Sequence, residues 1–221
     1  MTEDWENGGF GIYIHWPFCT AKCPYCDFNS HVRSNINQKQ WLKAYLNEIK
    51  RVSEKTSNRI LNSVFFGGGT PSLIEPSIIG DVLNEIQKHW KTKNNLEVTL
   101  EANPGSVDAK NFKAYKEAGV NRTSMGIQSL NTKDLKALGR THTVEEALAA
   151  FEIARQNFKA VSFDLIYARQ NQNISQWEKE LSLALSLEAS HMSLYQLTIE
   201  QGTAFGDRYN RGLLKGLPND D

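Results

Sequence analysis

The sequence has very little cysteine and nothing suited to crossing a membrane. Its 221 residues hold three cysteines, and the polar, acidic stretch from Met1 to Gly9 contains no apolar signal-peptide core. An odd count, clustered in one loop, speaks against a secreted disulfide scaffold and for a reducing compartment, read here as the cytoplasm. The longest apolar runs fall far short of the roughly 20 residues that span a bilayer. Neither sign of charge is in excess: 25 basic and 25 acidic residues give a formal net charge of zero. Their interspersion gives no sign of a nucleic-acid or membrane electrostatic partner. Internal repeats, low-complexity tracts and Pro/Gly/Ser linkers are missing as well, so one domain is expected over residues 1–221. With 40% hydrophobic residues, it can bury one substantial core.

What is present is concentrated. Cys19, Cys23 and Cys26 form a C-x3-C-x2-C run just after the first predicted strand, within a cysteine loop taken as residues 15–31. Each iron of a cubane [4Fe-4S] cluster needs one outside ligand, normally a thiolate. Three thiolates leave one iron open, where a small chelating molecule can bind and be reduced. A zinc site completed by His15 or His31 stays open as an alternative, although structural zinc prefers a closed set of four protein ligands. A disulfide fits less well.

Short β-like runs alternate with helical patterns along the chain, which predicts α/β architecture with parallel strands. The strand candidates are Gly11–Ile14, Asn62–Phe66, Leu96–Leu100, Arg122–Met125, Val161–Ile166 and His191–Leu197. Between them, stripes such as Trp41, Leu42, Tyr45, Leu46, Ile49 and Val52, or Ile78, Ile79, Val82, Leu83, Ile86 and Trp90, repeat at helical spacing and read as core. Ser106 is expected to cap one helix and Gly119 to end it. Thr143 with Glu146, and Ser175 with Glu178, have capping-box spacing. Six βα units are too few for a closed eight-stranded barrel but suit an open (β/α)6 partial TIM barrel. In α/β barrels the carboxyl ends of the strands surround the active site.

The chemically suggestive residues all fall at those strand ends. Gly67-Gly68-Gly69-Thr70-Pro71 follows the second strand, Glu101-Ala102-Asn103-Pro104 the third, Gly126-Ile127-Gln128-Ser129 the fourth, and Asp164 lies on the fifth. The glycine run is neither a P-loop nor a dinucleotide fingerprint; it permits close backbone approach to a ligand carrying both amine and carboxylate. Singly, each has a plainer reading. Glu101 reads as a surface acid, Gln128 as a turn cap, Asp164 as a partner of nearby backbone, Arg140 as a solvated helix-end arginine and His142 as a surface histidine or one that supports site residues from behind.

Together they resemble one family. The stretches Tyr13-Ile14-His15-Trp16-Pro17-Phe18-Cys19, Lys22-Cys23-Pro24-Tyr25-Cys26-Asp27-Phe28, Gly67 to Leu73, Glu101 to Gly105, Gly119 to Arg122, Gly126 to Ser129 and Leu138-Gly139-Arg140 resemble radical S-adenosylmethionine (SAM) proteins of the oxygen-independent coproporphyrinogen oxidase family. The resemblance implies a radical-SAM open barrel in which Cys19, Cys23 and Cys26 ligate a [4Fe-4S] cluster and SAM chelates its fourth iron. It implies SAM contacts from Tyr13, Gly68 and Glu101. Tyr25, Gly69, Thr70, Gln128, Arg140 and Asp164 match positions that in the oxidase branch contact a second SAM, or they complete the first pocket. The oxidases carry a further cysteine two residues after the run and a long N-terminal extension. Phe28 stands at that position here, and eighteen residues precede Cys19.

The sequence is therefore more similar to the family's heme-chaperone branch. That branch implies heme as bound cargo, a reductant protein, and a respiratory hemoprotein as acceptor, with contact at the membrane during transfer. Porphyrinogen decarboxylation in heme biosynthesis is the alternative, and a non-catalytic barrel a third. Two departures from the family pattern stand out. The family's loop, D-L-I-Y-G-L-P-G-Q or the form with A-R-P-G-Q, is Asp164-Leu165-Ile166-Tyr167-Ala168-Arg169-Gln170-Asn171-Gln172 here; the missing proline and glycine predict loss of a fixed turn and of SAM contacts from this loop. The family's C-terminal domain with its H-N-x-x-Y-W stretch is not found, so a barrel without its lid is expected.

Overall fold

The computed structural model describes residues 4–106 and 109–219, with the backbone alone at 106, 109 and 110. Its elements in chain order are α1 (Trp5–Gly8), β1 (Phe10–Trp16), β2 (Phe18–Cys19), β3 (His31–Val32), α2 (Gln38–Thr56), β4 (Ile60–Gly68), α3 (Pro76–His89), β5 (Lys91–Ala102), α4 (Ala109–Glu117), β6 (Arg122–Gln128), α5 (Thr132–Ala137), α6 (Val144–Asn157), β7 (Ala160–Tyr167), α7 (Ile174–Ser186), β8 (His191–Gln196) and α8 (Ala204–Asn210). The main sheet has six strands in the order β1-β4-β5-β6-β7-β8, and every pairing is parallel. Spatial order equals sequence order, as expected when each crossover winds in the same sense. Among the described residues no pairing joins β8 to β1, so the barrel is open, as the sequence predicts.

The predicted helical stripes form the core. Ile78, Ile79, Val82, Leu83 and Ile86 of α3 are buried, and Ile49 of α2 joins them with Trp41, Leu42, Tyr45 and Val52 packed alongside. Each large aliphatic side chain so buried contributes about 1.5–3 kcal/mol. Two tyrosines then connect this packing to the strand ends. The Tyr45 hydroxyl donates to the His15 carbonyl at 2.7 Å, and the Tyr115 hydroxyl donates to the carbonyls of Ser72 and Ile74 at 2.6 and 2.8 Å. Buried phenols need such partners, and these fix the loops after β1 and β4.

Local signals hold in part. Thr143 and Glu146 form the expected capping box, and Gly119 lies just past α4 at φ +112°. The side chain of Ser106 lies outside the described residues. The cap of α7 is a correction: Asn173 and Gln176 form the box, two residues before Ser175 and Glu178. Asn is at least as good an N-cap as Ser, so the helix begins at the earlier candidate. Strand β5 begins at Lys91, ahead of the predicted Leu96. Its polar start shows no alternation, and a register shift between Leu61 and Ser63 accommodates the excess residues.

The expectation of an uncovered mouth also needs refinement. Phe205 of α8 is buried with Leu138, Ile166, Leu197 and Leu214, and Tyr25 packs against this second cluster. The Phe205 amide donates to the Pro24 carbonyl at 2.8 Å. Residues 197–217 thus brace one side of the cysteine loop. Among the described residues, no helix is long and apolar enough to cross a membrane.

Candidate metal and cofactor site

The cysteine loop is shaped by its neighbours. Strands β2 and β3 pair in parallel, Phe18 with His31 and Cys19 with Val32, and close the loop at its base. The glycine run fits against it: the Gly69 amide donates to the Trp16 carbonyl at 2.7 Å and the Thr70 amide to the Phe18 carbonyl at 2.8 Å. A Cβ on Gly69 would lie 2.5 Å from the Phe18 oxygen and 2.9 Å from the Cys19 sulfur. Part of this glycine's role is therefore to let the β4 loop lie on the cysteine loop, a demand that is internal to the fold.

One cavity of about 310 Å³ gathers most of the expected residues. Cys19, Cys23, Cys26, Tyr25, Gly68, Gly69, Thr70, Glu101, Gln128, Arg140 and Asp164 all contribute to its wall. Tyr13 does not. It is 56% exposed on β1, stacks on Phe65 at 5.9 Å, and lies close enough to Glu101 for that carboxylate to help raise its phenol pKa, the larger cause being burial.

The plain readings of several residues fail here. Glu101 is no surface acid: its Oε2 accepts from the Gly68 amide at 3.1 Å, and burial, aided by Asp164, raises its pKa to about 7 against the opposing Gly68 bond. Burial likewise raises Asp164 to about 6, against hydrogen bonds from Ser193 and Ser124 and the charges of Arg122 and Arg140. Arg140 is not solvated either. It donates to the Cys23 sulfur at 3.1 Å and to the Gly126 carbonyl at 2.9 Å. His142 is buried, bonded through Nε2 to the Ile127 carbonyl at 3.1 Å, and its pKa is lowered by burial and by Arg140. Gln128 adopts φ +72°, and its buried Oε1 has no partner among the described residues. Backbone strain together with an idle buried acceptor marks a place prepared for a ligand.

The donor set suits an iron-sulfur core. The three thiols are free and share one wall, yet among the described residues no three His, Cys, Asp or Glu side chains are gathered as a single ion would need. Neither His15 nor His31 lines the cavity, and His15 Nε2 is taken up with the Asn29 carbonyl at 2.9 Å. A tetrahedral zinc site, with ligands about 2.0–2.3 Å from one ion, matches this spread poorly. Burial pushes the Cys26 thiol up, with the Phe28 amide acting against it.

Some wall residues escape a reading of the sequence. Ser30, Ser124, Tyr195 and Glu200 line the same cavity. Ser124 could have been found from the alternation of β6, and Tyr195 from the end of the sixth strand. Ser30 carries no periodic signal.

The molecule is thus an open, all-parallel α/β barrel with three free thiols and two carboxyls of raised pKa gathered at the carboxyl ends of its strands. The chain belongs to the radical SAM superfamily, whose profile matches residues 13–184. It is similar to the heme chaperone HemW of Haemophilus influenzae, 42% identical over 216 residues, covering 95% of this chain and 55% of that protein. HemW of Escherichia coli is 37% identical over 212 residues with the same coverage, 95% and 55%. The mitochondrial radical S-adenosyl methionine domain-containing protein 1 of Danio rerio is 39% identical, covering 95% of this chain and 47% of that one. The chain thus spans about half the length of the curated relatives it matches. Among solved structures, coproporphyrinogen III oxidase (HemN) of Escherichia coli superposes with a TM-score of 0.82 at 23% identity, covering 95% of this chain and 48% of that one. That likeness bears out the fold.

Proposed function

We propose that this chain is the radical SAM part of a heme chaperone, holding a [4Fe-4S] cluster on Cys19, Cys23 and Cys26 and SAM beside it. The supporting observation is the placement of three free thiols and the strand-end polar residues on the wall of one cavity. The similarity to the heme chaperones HemW supports heme as cargo; a reductant protein upstream and a respiratory hemoprotein as acceptor belong to the same proposal.

When bound, the cluster and SAM would supply one-electron reduction of a sulfonium; the protein supplies binding and orientation. SAM carries an amine, a carboxylate and a positive sulfonium. Glu101 and Asp164 offer negative charge to its cationic groups, and the positive charge of those groups would lower the two raised pKa values. Arg140, already on Cys23, offers a guanidinium to a carboxylate. Gln128 Oε1 and the Gly68–Gly69–Thr70 backbone supply neutral hydrogen-bonding groups. Tyr25, half-buried against Phe205 at 6.3 Å between ring centroids, helps to exclude water from the thiols.

The oxidase reading predicts loss of two substrate carboxylates as CO2. Phe28, 60% exposed at the cavity rim where that branch has a further cysteine, speaks against it. Anaerobic reconstitution tests the proposal. The chain is expected to take up about four irons, give an EPR signal that added SAM perturbs, and bind heme with a Soret shift. Cys23→Ser should lose the cluster signal. Uptake of zinc alone, without that spectrum, would sink the cluster assignment.

A further inference from the structure

We infer that Ser30 is a hydrogen-bond donor to the iron-sulfur cluster and helps set its reduction potential, an inference that rests on the cluster assignment above. Ser30 is 5% exposed and lines the cavity with the three cysteines, yet its hydroxyl has no partner among the described residues. Leaving a buried hydroxyl unpaired is costly, so such a group calls for an explanation by what it meets when the site is filled.

The backbone groups of the loop next to Ser30 are already bonded. The Asn29 carbonyl is bonded by His15 Nε2 at 2.9 Å, Lys22 Nζ donates to the carbonyls of Phe28 and Ser30 at 3.4 Å, and the His31 amide donates to the Pro17 carbonyl at 2.7 Å. Strand β3 then starts at once, with Val32 opposite Cys19. The backbone of Ser30 is thus fixed in the loop that carries the thiols, while its side-chain rotor is idle. Neither the fold nor the loop closure uses the hydroxyl.

Sulfides and thiolates of a cluster accept hydrogen bonds, and such bonds raise its potential by stabilising the charge gained on reduction. Arg140 already shows such a contact with Cys23 at 3.1 Å. Ser30 would add a neutral donor from the opposite end of the cysteine loop.

The test uses the 221-residue chain, reconstituted without SAM, as parent, Ser30→Ala and Ser30→Thr. Iron and sulfide content is measured first, then the midpoint potential, then exchangeable-proton coupling by ENDOR in H2O and D2O. Alanine is expected to keep the parent's iron content, shift the potential to more negative values and lose one exchangeable coupling; threonine should restore both. An alanine chain with full iron and an unmoved potential overturns the proposal. If alanine lowers iron uptake, recovery by threonine supports a hydroxyl contact, and loss in both variants overturns it in favour of a packing role. A parent chain that assembles no cluster fails at the first measurement, which identifies the cluster assignment itself as the error.

Discussion

Replacing Glu101 with glutamine should stabilise the iron-free chain at high pH while weakening its site. The carboxyl titrates near 4.5 when solvated and at about 7 in the fold, chiefly through burial. Between those values the folded state holds more protons than the unfolded one, so stability falls as pH rises through this window. The effect is complete above pH 7, where the carboxylate is ionised in both states. At about 1.36 kcal/mol per pKa unit, the shift corresponds to a penalty of about 3 kcal/mol. Relaxation of Asp164 and water in the open cavity reduce what a mutant would recover to between about 1 and 3 kcal/mol. Glutamine keeps an oxygen for the Gly68 amide, so that bond is retained. Urea unfolding of parent and Glu101→Gln chains under chelator at pH 4 and pH 8 measures the difference. The gain should be present at pH 8 and close to zero at pH 4. A difference independent of pH, or a less stable variant at pH 8, would refute the assignment of Glu101 as a buried, strained carboxylate. After reconstitution the same variant should need more SAM to perturb the EPR signal, the usual exchange of stability for function.

Arg169→Ala should cost about 3–5 kcal/mol, because it strands Glu180, a buried acid that also accepts from Ser129 and Leu130 at 2.7 Å, without its countercharge. A fall in urea midpoint at unchanged slope is the expected result, and a loss below about 1 kcal/mol would show that the ion pair is dispensable. Ala168→Gly should raise stability by up to about 1 kcal/mol, since Ala168 sits at φ +55° and a left-handed L-residue costs more than glycine's added chain entropy; a lower thermal midpoint would contradict this.

The fold and the outline of the site were legible because their signals are local. Apolar stripes at helical spacing, caps such as Thr143 with Glu146, and polar clusters at strand ends needed no knowledge of distant residues. What stayed hidden is pairwise and long-range. No pattern within Leu138-Gly139-Arg140-Thr141-His142 says that Arg140 reaches Cys23, 117 residues earlier, or that His142 is buried. The two-residue strands β2 and β3 are too short for alternation to show, and Ser30 is hidden with them.

The loop after β7 shows most clearly how such partners change a local reading. Judged by itself, Ala168-Arg169-Gln170-Asn171 lacks the glycines and proline that would fix a turn. The turn is nevertheless there: Ala168, where the family pattern has glycine or alanine, and Asn171, where it has glycine, adopt φ +55° and +57°. Asn tolerates that conformation; Ala does so at a cost. Arg169 offsets it from the interior, donating to the Ile166 carbonyl and pairing with Asp134 and Glu180. Glu180 in turn holds Ser129 and Leu130, the residues directly after Gln128. The loop that looked like a lost turn therefore supports the strained backbone at Gln128, whose idle acceptor belongs to the cavity wall. Arg169, which the A-R-P-G-Q form of the family loop also carries, should be read together with Glu180: a buried arginine in the loop requires the buried acid, and the acid without the arginine would be the more disruptive change.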